Sequence, residues 1–308
     1  MRKTLCTYAV GKGKYRVMAI AMMQTARETS DVSIDRYVIF TDTLRWAAVP
    51  EWIELVLLDS NNSQDRDSNW ALKPELLLHP AVKKDLLLYL DSDSTIYSNS
   101  IGKCFDWIEQ NSILVFMHFL PADQGWGQLN LGQVYTGAGF DARNLSINAG
   151  ILGRKPDALG HAFQQKYSQW MKAQVLSSQF STSMDKKNDE PYAGLAYQQA
   201  FRDLGQPVRE QAHPLVAEDY MLTIGACIKQ FSVKPGPVIR VPWCSHDVVR
   251  PAIVHWIDCT QYFFYRRTLW ECISRARVLR AYFLTMVASE IELHWGRARQ
   301  VLLRFVGK

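Results

Sequence analysis

Short apolar segments alternate with helix-like segments over the first 120 residues, and this alternation restricts the possible folds most. Strand-like runs occupy residues 4–10, 36–41, 54–59, 86–90 and 113–119. Helix-like segments lie at residues 15–28, 69–78 and 101–110. Strands that alternate with helices form mostly parallel sheets whose two faces are covered by helices. The sequence therefore predicts an α/β protein with a mostly parallel, Rossmann-type sheet.

The second half of the chain continues this pattern less regularly. We predict a strand at residues 146–153, helices at 157–174 and 192–204, and short strands at 238–243 and 253–256. A Gly- and Gln-rich stretch at residues 121–142 predicts a long loop over the sheet, and a polar connector covers residues 177–188. Loops this long are often functional.

Composition places the chain among ordinary globular proteins. Of its 308 residues, 48% are hydrophobic and 21% are charged, which excludes a disordered chain and a small disulfide scaffold. No apolar run approaches the roughly 18 residues that span a bilayer. The six cysteines are scattered and form no CxxC pair, which is typical of reduced thiols. We therefore expect a cytoplasmic protein.

The positive charge lies at the end of the chain. Residues 264–308 contain nine basic and three acidic residues, whereas residues 1–263 are nearly neutral. This division predicts a body at 1–263 and a basic amphipathic helical extension at 264–308. Such helices bind anionic membrane surfaces, so we expect peripheral attachment at the inner face of a membrane. The alternative is an extension that packs on the body; the body shows no basic patch that would favour nucleic acid.

Two aspartates stand directly after the apolar segment at residues 86–90, in the sequence LLLYLDSDSTIY. In an open α/β sheet, ligands bind at the carboxyl ends of the strands, which is where Asp91 and Asp93 stand. Two carboxylates so close repel each other, and a divalent cation removes that cost. Oxygen ligands favour magnesium or manganese, so we predict a metal site. The alternative is a solvated turn in which Asp91 caps the next segment.

Two enzyme classes place such a motif after an apolar strand. Residues 91–95 fit the DxDx[TV] string of haloacid-dehalogenase-like phosphohydrolases. That class also requires a later acidic pair, and this chain contains neither a DD nor a GD dipeptide. Its nucleophile strand normally opens the domain, whereas three predicted strands precede residue 86. The phosphohydrolase is therefore the weaker of the two readings.

The order of several short motifs resembles glycosyltransferase family 8 and its relatives, over roughly residues 4–261. The matching pieces are the first strand with its glycine loop (7–12), the end of the second strand (40–42), Lys73, the DxD motif (89–93), a strand at 147–151, an acidic pair at 189–190 and His255. The resemblance implies the GT-A fold for residues 1–263. It also implies a hexosyltransferase that uses a nucleotide-sugar donor and retains the anomeric configuration.

The resemblance further implies a metal-dependent reaction with a saccharide or lipid-linked acceptor. Asp91 and Asp93 would hold manganese, or magnesium, on the donor diphosphate, and His255 would be the third ligand. In the family this histidine opens an HxxGxxK pattern, whereas this chain has aspartate and glutamine at the two later positions. His246 is therefore the alternative third ligand.

The remaining site residues follow from the same resemblance. Asp189 and Glu190 would lie beside the reacting carbon as the catalytic pair. Residues that would bind the nucleotide-sugar are Tyr8, Ala9, Gly11, Lys73, Asp91, Ser92 and Asn148.

Each of these assignments has a simpler alternative. Asp189 could be only the N-cap of the helix predicted from residue 192. Lys73 could be a surface lysine of its helix, and His255 could be a core histidine. At the level of the whole protein, the alternatives are the phosphohydrolase and a non-catalytic protein that binds nucleotide-sugars.

Overall fold

The computed structural model describes residues 1–11, 13–30, 32–46, 48–58, 72–97, 100–119, 136–137, 139–140, 145–173, 189–209, 221–224, 232–233, 239–240 and 253–256. Several predictions lie outside these residues: the helical extension at 264–308, the connector at 177–188, the alternative ligand His246 and most of the loop at 121–142. Of the six cysteines, Cys6 and Cys104 are described, and both are free and buried.

Strands and helices alternate as predicted through the first part of the chain. The strands are β1 Lys3–Ala9, β2 Arg36–Thr41, β3 Ile53–Leu57, β4 Leu86–Leu90, β5 Ser94–Ile96, β6 Ile113–Phe119, β7 Leu145–Arg154, β8 Met221–Ile224, β9 Ser232–Val233, β10 Ile239–Arg240 and β11 Ile253–Trp256. The helices are α1 Gly13–Thr29, α2 Lys73–Leu78, α3 Ser100–Asn111, α4 Ala158–Ala173 and α5 Glu190–Asp203.

The central sheet has six strands in the order β3-β2-β1-β4-β7-β6. The first four are parallel to one another, β7 runs antiparallel to β4, and β6 runs antiparallel to β7. This confirms the predicted mostly parallel sheet. β2 and β3 extend the sheet on one side of β1, and β4 lies on the other side. The strand order therefore reverses between β1 and β4, and this topology forms a crevice at the carboxyl ends of the two strands. In open α/β sheets, ligands bind at such a switch point.

Helices cover both faces of the sheet, and β4 shows how the sequence divides them. Because side chains alternate along a strand, Leu86, Leu88 and Leu90 pack in one core with α1 and α3. Leu87 and Tyr89 pack in the other core, against α2, α4 and α5. The alternation therefore directs the odd-numbered positions of β4 towards the helices that carry the other site residues.

A fully buried arginine holds the C-terminal end of α2 in place. Arg154, at the end of β7, donates hydrogen bonds to the carbonyl of Leu77 (3.1 and 3.2 Å), to that of Val82 (2.9 Å) and to that of Asp85 (3.1 Å). The carbonyls at a helix C-terminus lack partners within the helix, and the guanidinium supplies one here. These bonds hold the end of α2 against the sheet, and thereby position Lys73 at its other end.

A second, three-stranded sheet carries one of the predicted ligands. Its order is β5-β11-β8, and His255 of β11 lies opposite Ser94 of β5. The sequence pattern predicts β11 but not β5, β8 or β9. Strands of two or three residues, such as β9 and β5, show no detectable period. No helix in the described part of the chain is long and apolar enough to cross a membrane.

Candidate active site

Asp91 and Asp93 lie in the turn directly after β4. The N–H of Asp91 donates to the carbonyl of Gly150 in β7 (2.8 Å), and the N–H of Ser94 donates to the carbonyl of Asp91 (3.0 Å). The strand ends at Leu90, as the apolar segment at residues 86–90 predicted, and the turn that follows it carries both carboxylates.

His255 meets both carboxylates across the small sheet. Its Nε2 lies 3.3 Å from Asp91 Oδ2 and 3.2 Å from Asp93 Oδ1. One ligand atom from each residue lies within 4.8 Å of the others, and the described residues contain no second His, Cys, Asp or Glu group of this kind. Carboxylate oxygens with one imidazole nitrogen suit manganese better than magnesium, which prefers oxygen alone. These three residues could therefore hold a divalent cation.

The two carboxylates keep a proton on His255 when no cation is bound. Burial alone would lower the pKa of this imidazole, but the charges and hydrogen bonds of Asp93 and Asp91 outweigh burial and raise the pKa to about 10. A metal ligand must be a neutral imidazole, so a cation has to displace this proton.

Gly150 leaves the space that His255 occupies. A β-carbon at this position would lie 2.6 Å from His255 Nδ1 and 2.8 Å from Asn148 Oδ1. Both distances are shorter than the closest contacts that β-carbons make with other heavy atoms in proteins. Asn148 Oδ1 accepts the N–H of Gly150 (2.8 Å), which orients the amide predicted to face the donor. Gly150 lies in the strand that the family resemblance placed at residues 147–151, but it was not among the predicted ligand-binding residues.

Lys73 lies between two aspartates rather than on the surface of its helix. The side chain is 4% exposed, and Nζ lies 3.1 Å from Asp91 Oδ2 and 2.9 Å from Asp189 Oδ2. It also donates to the carbonyl of Ala149 (3.3 Å). Burial lowers the pKa of Lys73, but the charges of Asp189 and Asp91 outweigh burial and raise the pKa well above its ordinary value. The site therefore contains a permanent ammonium group.

Asp189 stands at the N-cap position of α5, but its side chain does not cap the helix. No hydrogen bond joins the carboxylate to the backbone of the first turn. Instead, Asp189 Oδ2 accepts from Lys73 Nζ and from the hydroxyl of Tyr167 in α4 (3.0 Å). The side chain is 7% exposed. The capping role does not describe this side chain, and Tyr167 is a site residue that no sequence motif indicated.

Glu190 is the second predicted catalytic carboxyl, and its environment differs from that of Asp189. Burial, followed by the negative charge of Asp189, raises the pKa of Glu190 from 4.5 to about 8. The charges of Lys73 and His255 and the N–H of Ala149 oppose this shift without cancelling it. At neutral pH Glu190 is therefore mostly a carboxylic acid and can give or take a proton.

Two stacked tyrosines lie next to the Asp91 carboxylate. The rings of Tyr8 and Tyr89 lie 6.1 Å apart at an interplanar angle of 16°. The Tyr89 hydroxyl donates to Asp91 Oδ1, which adds another donor to the DxD carboxylate. Tyr8 is half-buried. Its predicted contact with a nucleotide base stays a prediction.

The other predicted donor-binding residues differ in their exposure and contacts. Ala9 is fully buried, main chain included. Gly11 adopts φ +81°, a conformation that favours glycine, and its N–H donates to Asp42 Oδ2 (3.0 Å). Ser92 is half-buried in the DxD turn.

No protein-family model and no curated protein sequence matches the chain. Solved structures do resemble it. The galactosyltransferase LgtC, in complex with donor and acceptor sugar analogues, aligns with a TM-score of 0.52 and 11% identity, over 86% of this chain and 95% of LgtC. The bifunctional glycosyltransferase WbbM aligns with a TM-score of 0.53 and 10% identity, over 91% of this chain but 51% of WbbM.

At this level of identity, the likeness concerns the fold. The chain has the GT-A fold of these glycosyltransferases, as the sequence motifs predicted. Membership of family 8 is not confirmed, because the alignments carry only 10% to 11% identity.

We expect Gly150→Ala to weaken Mn²⁺ binding at least tenfold, because the new methyl group would displace His255 or Asn148. Isothermal titration calorimetry with Mn²⁺ measures the affinity, and thermal unfolding verifies the fold. Gly137→Ala is the matched control, since a β-carbon there meets no atom within 4 Å. Equal Mn²⁺ affinity in both variants would contradict the placement of His255.

We also expect Mn²⁺ binding at pH 7.5 to release about one proton, because the pKa of His255 is about 10 in the metal-free protein. The Mn²⁺ affinity should rise roughly tenfold per pH unit between pH 6.5 and 8, since the cation competes with this proton. Calorimetry in two buffers of different ionisation enthalpy counts the protons. His255→Gln should abolish the release and His161→Gln should keep it; release retained in His255→Gln would exclude His255 as its source.

Proposed function

We propose that this protein is a metal-dependent glycosyltransferase that moves a sugar from a nucleotide-sugar to a saccharide or lipid-linked acceptor. The observation that supports it most strongly is the convergence of Asp91, Asp93 and His255 at the switch point of a GT-A fold. Lys73 pairs with both Asp91 and the buried Asp189, and the half-buried Glu190 is the next residue after Asp189.

The donor diphosphate would lie against the Asp91–Asp93–His255 group. Bound there, a manganese ion would supply Lewis-acid stabilisation of the charge that grows on the departing nucleoside diphosphate. The proton on His255 would be lost when this site is loaded. Lys73 would add a second positive charge within reach of the donor phosphate or sugar.

The nucleotide and the sugar would contact different walls of the crevice. Tyr8, near the end of β1, and Gly11, just after the strand, would accommodate the base and ribose, for which a flat apolar ring is suited. Asn148 would face the donor sugar through the amide nitrogen, because its oxygen accepts from Gly150. Ser92, in the DxD turn, would lie near the ribose or diphosphate.

The acidic pair would act at the reacting carbon. Asp189 is paired with Lys73 and accepts from Tyr167, so its carboxylate would stabilise positive charge that develops on the sugar. Glu190, whose pKa is about 8, would exchange a proton with the acceptor hydroxyl. The family resemblance favours retention of the anomeric configuration, which NMR of the first-formed product would establish.

A panel of UDP-glucose, UDP-galactose, UDP-N-acetylglucosamine, GDP-mannose and ADP-glucose, each with and without Mn²⁺, tests the proposal. A donor at 100 times its dissociation constant should stabilise the fold by about 2.7 kcal/mol, which a thermal shift detects. Asp91→Asn and Asp93→Asn should lose the Mn²⁺-dependent shift yet remain folded, since Lys73 keeps its bond to Asp189.

The surface variant Asp203→Asn, which loses only an ion pair with Lys166, is the control for removal of a carboxylate. Mn²⁺ and donor binding at wild-type affinity in both DxD variants would eliminate the metal site. Release of inorganic phosphate from simple phosphate esters would favour the phosphohydrolase. Donor binding without release of nucleoside diphosphate would favour the non-catalytic binding protein.

Glu190→Gln should lower kcat at least 100-fold, the usual contribution of a proton-transferring side chain, with little change in donor KM. The same variant should stabilise the metal-free protein at pH 9. The folded-state pKa of about 8 lies above the ordinary 4.5, so the wild type loses stability between these values as pH rises, whereas glutamine stays neutral.

Thermal unfolding at pH 5 and pH 9 tests this second effect. The two melting curves should coincide at pH 5 and separate at pH 9. The exposed Glu109→Gln is the control and should show no such separation. A kcat near that of the wild type would exclude proton transfer by Glu190.

A further inference from the structure

The hydroxyl of Tyr167 is a polar group of the site to which the proposed chemistry assigns no role of its own. Tyr167 lies in α4 and is fully buried. Its hydroxyl donates to Asp189 Oδ2 over 3.0 Å, and Lys73 Nζ lies 2.9 Å from the same oxygen. Two donors from two different helices therefore act on one carboxylate oxygen.

The packing of the Tyr167 ring does not require a hydroxyl group. The ring of Tyr167 stacks on Phe163 at 6.0 Å and 16°, within an apolar core that a phenylalanine would fill equally well. A buried hydroxyl is costly unless it is hydrogen-bonded, and here its hydrogen bond goes to the Asp189 carboxylate. Burial, followed by the charge of Asp189, raises the pKa of Tyr167 well above its ordinary value, so the group remains a donor throughout the working pH range.

Two donors constrain a carboxylate more than one does. Lys73 alone does not fix the rotation of the Asp189 carboxylate, because an ammonium is a point charge without a preferred orientation towards its partner. The Tyr167 hydroxyl is held by its ring in the core, so the second bond restricts that rotation. A catalytic carboxylate must be held within roughly 0.5 Å of its productive position.

We propose that Tyr167 is a positioning residue, which acts through Asp189 and orients that carboxylate towards the reacting carbon. This inference rests on the proposed transferase function. It assigns no contact between Tyr167 and the substrate.

Tyr167→Phe removes only the hydroxyl and should lower kcat roughly tenfold, the effect of one hydrogen bond to a charged group. Donor KM and Mn²⁺ affinity should change less than twofold, since the donor-binding residues keep their places. The rate is measured as release of nucleoside diphosphate from the panel nucleotide-sugar that stabilises the wild type most, with water as the acceptor.

Tyr197→Phe is the matched control. Tyr197 is also buried, and its hydroxyl donates to the carbonyl of Arg209 (3.2 Å) rather than to a site residue. Both variants should lose similar thermal stability, but only Tyr167→Phe should lose kcat. An unchanged kcat in Tyr167→Phe, or an equal loss in both variants, would overturn the proposal.

A double-mutant cycle tests the route through Asp189. In an Asp189→Asn background, Tyr167→Phe should have no further effect on the residual rate. A full additional tenfold loss would show that Tyr167 acts elsewhere and would overturn the proposal. A wild type that binds nucleotide-sugars without releasing nucleoside diphosphate would overturn the proposed function itself, and the kinetic role of Tyr167 with it.

Discussion

The two ion pairs of Lys73 are the interaction on which the rest of the site depends. Burial disfavours an ammonium group, and only the combined charges of Asp91 and Asp189 keep this one protonated inside the protein. The same bonds join the start of α2, the end of β4 and the start of α5. Loss of both partners would leave a buried charge unpaired, which is strongly destabilising in proteins, whereas loss of one leaves the other in place. The site is therefore part of what holds these three elements together.

Around this lysine, the fold brings positively and negatively charged groups into direct contact. His255 approaches the DxD carboxylates from the small sheet, and Lys73 approaches Asp91 from the helical side. Gly150 makes this arrangement possible, because a side chain there would occupy the position of the imidazole. Asp189 and Glu190 are neighbours in sequence, yet their partners differ. One carboxyl is therefore paired with a cation, whereas the raised pKa of the other keeps it mostly protonated at neutral pH.

Several of these features could be predicted from the sequence because they depend on local patterns. Apolar runs of five to seven residues gave the strands of the central sheet, and the run at β4 placed Asp91 and Asp93 at a carboxyl end. The motif order that resembles family 8 also indicated Lys73, Asp189 and His255 as candidate site residues. The short strands β5 and β9 were missed, because a periodic signal needs more residues than the three and two they contain.

The sequence by itself determined the alternating α/β order, the two-faced packing of β4 and the position of the aspartates after it. Each of these follows from neighbouring residues and the period of a strand. Only the tertiary structure decided that Lys73 pairs with both Asp91 and Asp189, that Tyr167 donates to Asp189, and that Gly150 makes room for His255. These contacts join residues far apart in the chain. Their geometry depends on how helices and strands pack, which no local pattern records.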